Sequence, residues 1–130
     1  GIPGSLPPLE RSAALQRRAA KVGFDWPSAD PVWEKLAEET CELREALASG
    51  DARRVEDELG DLLFTVVNLS RSLSIDPSLA LNRSNDKFSN RFREVERRLA
   101  ERGLKPAEAG LEAMDAVWNQ LRDEERNASK

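Results

Sequence analysis

Four acidic side chains stand at helical spacing in this sequence. Glu39 and Glu42 are three residues apart, and so are Glu58 and Asp61. Residues three apart share one face of a helix. If the two helices lie side by side and antiparallel, all four carboxylates can converge on one point. Four uncompensated negative charges at one point repel strongly. A hard divalent cation with oxygen preference relieves that repulsion. The chemistry open to such a cluster is metal-assisted work on an anionic substrate. The chain has no histidine. A His general base, a Ser-His-Asp triad and a His-ligated zinc or di-iron site are therefore excluded within it. With oxygen ligands alone, magnesium or manganese is the better fit.

A lone EExxE pattern on a helix is weak, because glutamate is a favoured helix surface residue. Two acidic pairs on neighbouring helices, each beside apolar positions, say more. Asp61 follows Gly60 and directly precedes Leu62-Leu63-Phe64, a placement that surface salt bridges explain poorly. Gly60 costs roughly 1 kcal/mol against alanine in a helix, which suggests close approach by a neighbouring helix or a ligand.

The elements that must hold these acids read as helices throughout, with no strand pattern. Residues 1–8 are rich in Pro and Gly and read as an irregular N-terminal segment or linker. A short helix is predicted over 9–22, stopped by Gly23. In the loop that follows, Phe24 and Trp26 either cover one end of the core or border a ligand. A second helix begins with Asp30 as N-cap and Pro31 in the first turn. Its stripe of Val32, Leu36, Leu43, Ala46 and Leu47 has helical period, and Glu39 falls at or beside it. After the Ser49-Gly50-Asp51 turn, a third helix runs over 52–73. Its wide apolar face of Val55, Leu59, Leu62, Leu63, Val66, Val67 and Leu73 suits a central helix.

Asp76 and Pro77 start a fourth helix that ends near Gly103. Its seam is Leu81, Asn85, Phe88, Phe92, Val95 and Leu99, spaced 4, 3, 4, 3, 4. Asn85 intrudes in that seam; buried, it needs partners, and it either fixes register or reaches the acidic site. Lys87 and Arg91 lie together beside the seam, with Arg83 extending the row. They form either a solvated basic face or a phosphate-binding one. A last helix is predicted from near Leu111, with Leu111, Met114, Trp118 and Leu121 inward. Trp118 is either core or a platform for a base. The polar stretch from Asp123 is expected to fray, with 127–130 as a tail. Long helices joined by short loops imply an antiparallel bundle, one domain over 9–126.

Composition sets the bounds. The chain has 130 residues, 34% charged and 39% in the hydrophobic set, which suits one charge-rich globular domain. A net charge of −4 gives no global pull toward nucleic acid. A single cysteine excludes an internal disulfide framework and suits a reducing compartment. No apolar run approaches the roughly 18 residues of a membrane span, and no signal-peptide core is visible. A cytoplasmic protein is the expectation, with neither membrane nor nucleic acid as partner.

The segment Trp33-Glu34-Lys35-Leu36-Ala37-Glu38-Glu39-Thr40-Cys41-Glu42, followed by Glu58-Leu59-Gly60-Asp61-Leu62-Leu63-Phe64, resembles the MazG family of nucleoside triphosphate pyrophosphohydrolases. That family carries EExxE followed, after a variable gap, by ExxD. The likeness extends to Val22-Gly23-Phe24-Asp25-Trp26 near the start and to Asn85-Asp86-Lys87-Phe88 with Arg91-Phe92-Arg93-Glu94 later. It is closest to the C-terminal catalytic half of two-domain bacterial members.

The resemblance implies an all-α bundle of the NTP pyrophosphatase type, completed by pairing of two chains. It implies hydrolysis of NTPs and dNTPs to the monophosphate and pyrophosphate, with broad base tolerance and a house-cleaning role. Glu39, Glu42, Glu58 and Asp61 match the family's Mg²⁺ ligands, with Mn²⁺ as a substitute. Lys35, Arg54, Lys87, Arg91 and Trp118 match positions that contact nucleotide. Arg54 stands where relatives often carry lysine, keeping the charge and changing the hydrogen-bond geometry. On this reading a water acidified by the cation attacks the α-phosphorus, and Lys87, Arg91 and Lys35 meet the charge on pyrophosphate. Glu38 adjoins the ligands without matching one and is the candidate to orient or deprotonate the water. The rivals are a dUTP- or dCTP-selective diphosphatase, a phosphoribosyl-ATP pyrophosphohydrolase, and a non-catalytic nucleotide-binding helical dimer.

Overall fold

The computed structural model describes residues 1–129. Five α-helices and no strands occur among them: α1 (Pro8–Lys21), α2 (Asp30–Ser49), α3 (Ala52–Ser72), α4 (Pro77–Glu101) and α5 (Pro106–Ala128). The chain is all-α, as its periodicity predicts. It divides into two compact units, one spanning Gly1–Ala80 and one beginning at Leu81. No described helix is long and apolar enough to cross a membrane.

In the first unit α3 is the central element, packed against both α2 and α1. The α2–α3 connection is set by two residues. Gly50 takes φ 75°, and its N–H donates to Leu47 O. Asp51 then caps α3, its Oδ1 accepting from Arg53 N at 3.1 Å and Arg54 N at 3.3 Å. Glycine enters the left-handed region without a Cβ penalty, and the aspartate satisfies two orphan amides. So short a turn folds α3 back along α2, which brings the two acidic pairs together. The buried residues of this unit are small: Ala13, Val32, Ala46 and Val67, joined by the polar Gln16, Glu39 and Thr65. Gln16 ties α1 to α3, donating from Nε2 to Phe64 O at 3.0 Å.

The second unit is built on Val95 and Leu99 of α4 against Val117 and Leu121 of α5, with Leu104, Ala109, Met114 and Trp118 packed on that cluster. Gly110, at φ 83° and ψ 169°, interrupts α5. The helix proper therefore resumes at Leu111, after one separate turn over 106–109.

Several expectations are corrected. Ala29, not Asp30, holds the N-cap position of α2 and is already helical, so Asp30 lies inside the first turn and makes no capping bond. A Cβ on Gly60 would meet nothing within 4 Å; its missing side chain opens onto free space rather than a close neighbour. Leu59, Leu63, Phe64, Val66 and Leu73 are exposed, since the first unit supplies only enough surface to cover Thr65 and Val67. Asn85 is exposed rather than buried and donates only to Asn82, at 3.4 Å; the α4 seam is buried at Val95 and Leu99 alone. The stretch from Asp123 does not fray but stays helical to Ala128. Its Glu124 and Glu125 are held by Arg98 and Arg91. Lys130, the end of the expected tail, lies outside the described residues.

Candidate active site

The acidic pairs meet inside the first unit. Oxygens of Glu39, Glu58 and Asp61 lie within 4.8 Å of one another. Glu39 is buried, at 4% exposure, because it sits on the face of α2 that also carries Val32 and Ala46. One oxygen each of Glu39 and Glu58 is buried without any hydrogen-bond partner. An orphaned buried carboxylate oxygen is costly unless a cation faces it. The donor set is all oxygen, as a hard divalent ion requires. These residues therefore fit a metal of the Mg²⁺ type.

Glu42 stands just outside the three-oxygen group yet feels it. The charge of Glu39 acts first, then partial burial, then Glu58, and together they push the Glu42 carboxyl above the ordinary glutamate range. The chain supplies one counter-charge of its own. Lys35 Nζ lies 3.1 Å from Glu39 Oε1 and 3.4 Å from Glu38 Oε1. Glu39, foremost, raises the pKa of that lysine. Glu38 is exposed and outside the cluster. Arg54 is exposed in the first turn of α3, its backbone N–H held by the Asp51 cap.

Three residues that nothing in the spacing marked line a cavity that Lys35 also borders. Buried Gln16 accepts from Arg71 Nε at 3.4 Å, and Arg71 Nη2 reaches Asp25 Oδ1 at 2.6 Å. Arg71 first, against a small burial effect, holds the Asp25 carboxyl below the usual range. This pair fastens the loop that carries Phe24 and Trp26. Those aromatics do not cover the core. Phe24 is 81% exposed, and both border a cavity between α1 and α3.

In the second unit Arg91, one member of the predicted basic row, is engaged. Arg91 Nε donates to both oxygens of Glu125, at 3.0 and 2.8 Å. Its guanidinium lies over the Trp118 ring at 5.2 Å, within cation–π range. Phe88 meets the same indole at 5.4 Å. Trp118 is therefore a half-buried partner of Arg91 as well as a flank of the core. Lys87, Arg91, Arg122 and Arg126 line one open cleft. Arg122, a turn beyond Trp118, was not singled out by pattern, yet its Nε is buried without a partner.

Residues 29–96 match the MazG nucleotide pyrophosphohydrolase domain. A nucleoside triphosphate pyrophosphohydrolase of Escherichia coli (strain K12) is 46% identical over 128 residues, covering 95% of this chain and 48% of that protein. A nucleoside triphosphate pyrophosphohydrolase/pyrophosphatase MazG of Thermotoga maritima is 41% identical over 117 residues, covering 90% of this chain and 45% of its own length. An uncharacterized protein of Bacillus subtilis, YabN, is 42% identical over 71 residues, 55% of this chain and 14% of that one. The chain thus spans about half the length of the first relatives it matches.

Proposed function

The chain belongs to the MazG nucleotide pyrophosphohydrolase family, and we propose that it hydrolyses NTPs and dNTPs to the monophosphate and pyrophosphate with Mg²⁺. One observation carries this reading: a three-carboxylate cluster, with Glu39 buried, Glu58 half-buried and Asp61 exposed, in which one oxygen each of Glu39 and Glu58 is buried without a partner, on the two helices that hold the family's acidic motif. Glu39, Glu58 and Asp61 would hold the cation, Glu42 would join them, and Mn²⁺ would substitute. When bound, the ion neutralises phosphate oxygens and lowers the pKa of water.

The chain's own groups do the rest. Lys35, beside Glu39, would offer its ammonium to a phosphate oxygen. Glu38, already at the cluster's rim, orients the attacking water. Arg54 adds a cation at the start of α3. Lys87 and Arg91, with Arg122, are the donors proposed for phosphate charge. Trp118 holds Arg91 in place, and Asn85 adds an exposed amide. We further propose that the active form is a paired chain in the cytoplasm, acting as a house-cleaning hydrolase that accepts every base to some degree.

The test is pyrophosphate release from the eight common NTPs and dNTPs with Mg²⁺, compared with Asp61→Ala and Glu42→Ala. We expect release from the wild type and a loss of at least 100-fold in Asp61→Ala, in line with the large cost of disturbing a metal shell. Unchanged release in both variants would remove the metal site from the mechanism.

A further inference from the structure

Glu39 is the most buried acid of the cluster, and its two oxygens are treated unequally. Oε1 faces Lys35 Nζ at 3.1 Å. Oε2 is buried without a partner. Among the described residues, Lys35 is the one cation in ion-pair contact with the cluster acids.

This contact is more than a helix-surface pair. Lys35 and Glu39 are four residues apart with the lysine first, the weaker order for such a pair. Exposed on both sides, a pair of that kind contributes little. Here Glu39 is buried, so its charge has lost most of its water, and the ammonium replaces part of that hydration.

The same carboxylate shares the three-oxygen group with Glu58 and Asp61. A divalent ion on that group and an ammonium on Glu39 would stand close together, and like charges repel strongly beside a buried group. Both cations answer the same excess of negative charge, so each weakens the hold of the other. Lys35 has room to move away. Its side chain is part-exposed, its flexible stem borders the cavity between α1 and α3, and Glu38 offers it a partner outside the three-oxygen group at 3.4 Å.

We propose that Lys35 is a resident counter-ion that competes with the divalent ion for Glu39. It keeps the affinity for a free ion low, and ion binding releases its ammonium toward the cavity. The inference rests on the metal-site reading above and adds a regulation of that site.

The first experiment is isothermal titration calorimetry with Mn²⁺ alone, without nucleotide. Lys35→Gln should bind the ion about tenfold more tightly than the wild type, the expected result of removing one like charge from a partly buried site. Arg44→Gln is the control. Arg44 is exposed and nine residues further along α2, about two and a half turns on and hence on the opposite face. It removes the same charge without the contact and should leave the dissociation constant unchanged.

The second experiment follows the ammonium itself. Acetyl N-hydroxysuccinimide acylates free lysine amines, and peptide mass spectrometry compares Lys35 with the exposed Lys21 of α1. Saturating Mn²⁺ should speed acylation of Lys35 severalfold relative to Lys21. Should Lys35→Gln fail to fold, this measurement decides. A dissociation constant unmoved by Lys35→Gln, or tightened equally by Arg44→Gln, would overturn the competition and leave the metal site standing. Acylation of Lys35 that Mn²⁺ leaves unchanged would do the same. No Mn²⁺ binding by either the wild type or Lys35→Gln would overturn both.

Discussion

At the residue scale, the acidic cluster is held in a state that only a cation relieves. Glu42 carries a raised pKa because Glu39, above all, repels its charge. A carboxyl raised in the folded state favours folding below its ordinary value of 4.5. It loses that contribution as pH rises through the folded value. At neutral pH the ionised Glu42 therefore works against the fold, and Lys35 beside Glu39 offsets only part of the charge. Divalent binding should reverse the sign. Mg²⁺ at a hundredfold excess over its dissociation constant should stabilise the wild type by about 2.7 kcal/mol. Thermal unfolding should show that gain at pH 7, and show it shrinking toward pH 4.5 as protons compete for the ligands. Glu39→Gln should abolish most of the gain while folding normally without metal. A variant as responsive as the wild type would place the ion elsewhere.

At the element scale, two kinds of glue are at work. In the first unit, buried Gln16 joins α1 to α3 and steadies Arg71. Gln16→Ala would remove the cross-helix bond to Phe64 O and leave Arg71 Nε without a partner, at a cost of about 1–3 kcal/mol by urea denaturation. In the second unit, α4 and α5 are joined by Arg98–Glu124 and Arg91–Glu125, with Arg97 and Arg98 also holding Glu94. Arg97 foremost pulls Glu94 down to about 2, and Arg98 and Arg91 lower Glu124 and Glu125. Depressed carboxyls contribute stability above 4.5 that is lost as pH falls toward the folded values. The CD melting midpoint of α-helix should therefore drop between pH 5 and 2, the more so at low salt, because these pairs are surface-exposed and screened.

Such pairs also show what the sequence could and could not reveal. The helices were legible because their apolar spacing, Gly50, Asp51 and Asp76 are local signals. The convergence of Glu39, Glu58 and Asp61 was legible because a two-residue turn dictates it. Gln16, Arg71 and Asp25 were not, since their bonds join residues roughly 50 apart in sequence. The persistence of α5 past Asp123 was hidden for the same reason: its glutamates look solvated until α4 supplies the arginines.

At the scale of the whole molecule, α3 carries more apolar surface than its own unit covers. Leu59, Leu63 and Val66 follow a 4, 3 spacing on one stripe and are 46%, 58% and 43% exposed, with Phe64 beside them. A continuous stripe of this kind is unusual on a solitary soluble chain and marks a surface that is covered in use. Each buried leucine is worth about 1.5–3 kcal/mol, so a second copy laid along the stripe gains much and demands no new fold. The paired form proposed above is the economical cover, because a two-fold contact presents the same stripe to itself. Leu63→Glu places a charge at its centre. An unpaired charge inside an interface costs about 3 kcal/mol or more. Analytical ultracentrifugation at micromolar concentration should therefore find the wild type as a dimer and Leu63→Glu shifted to monomer, with its helical content retained. A wild type that sediments as a monomer across that range would mean that the stripe serves something other than a second copy.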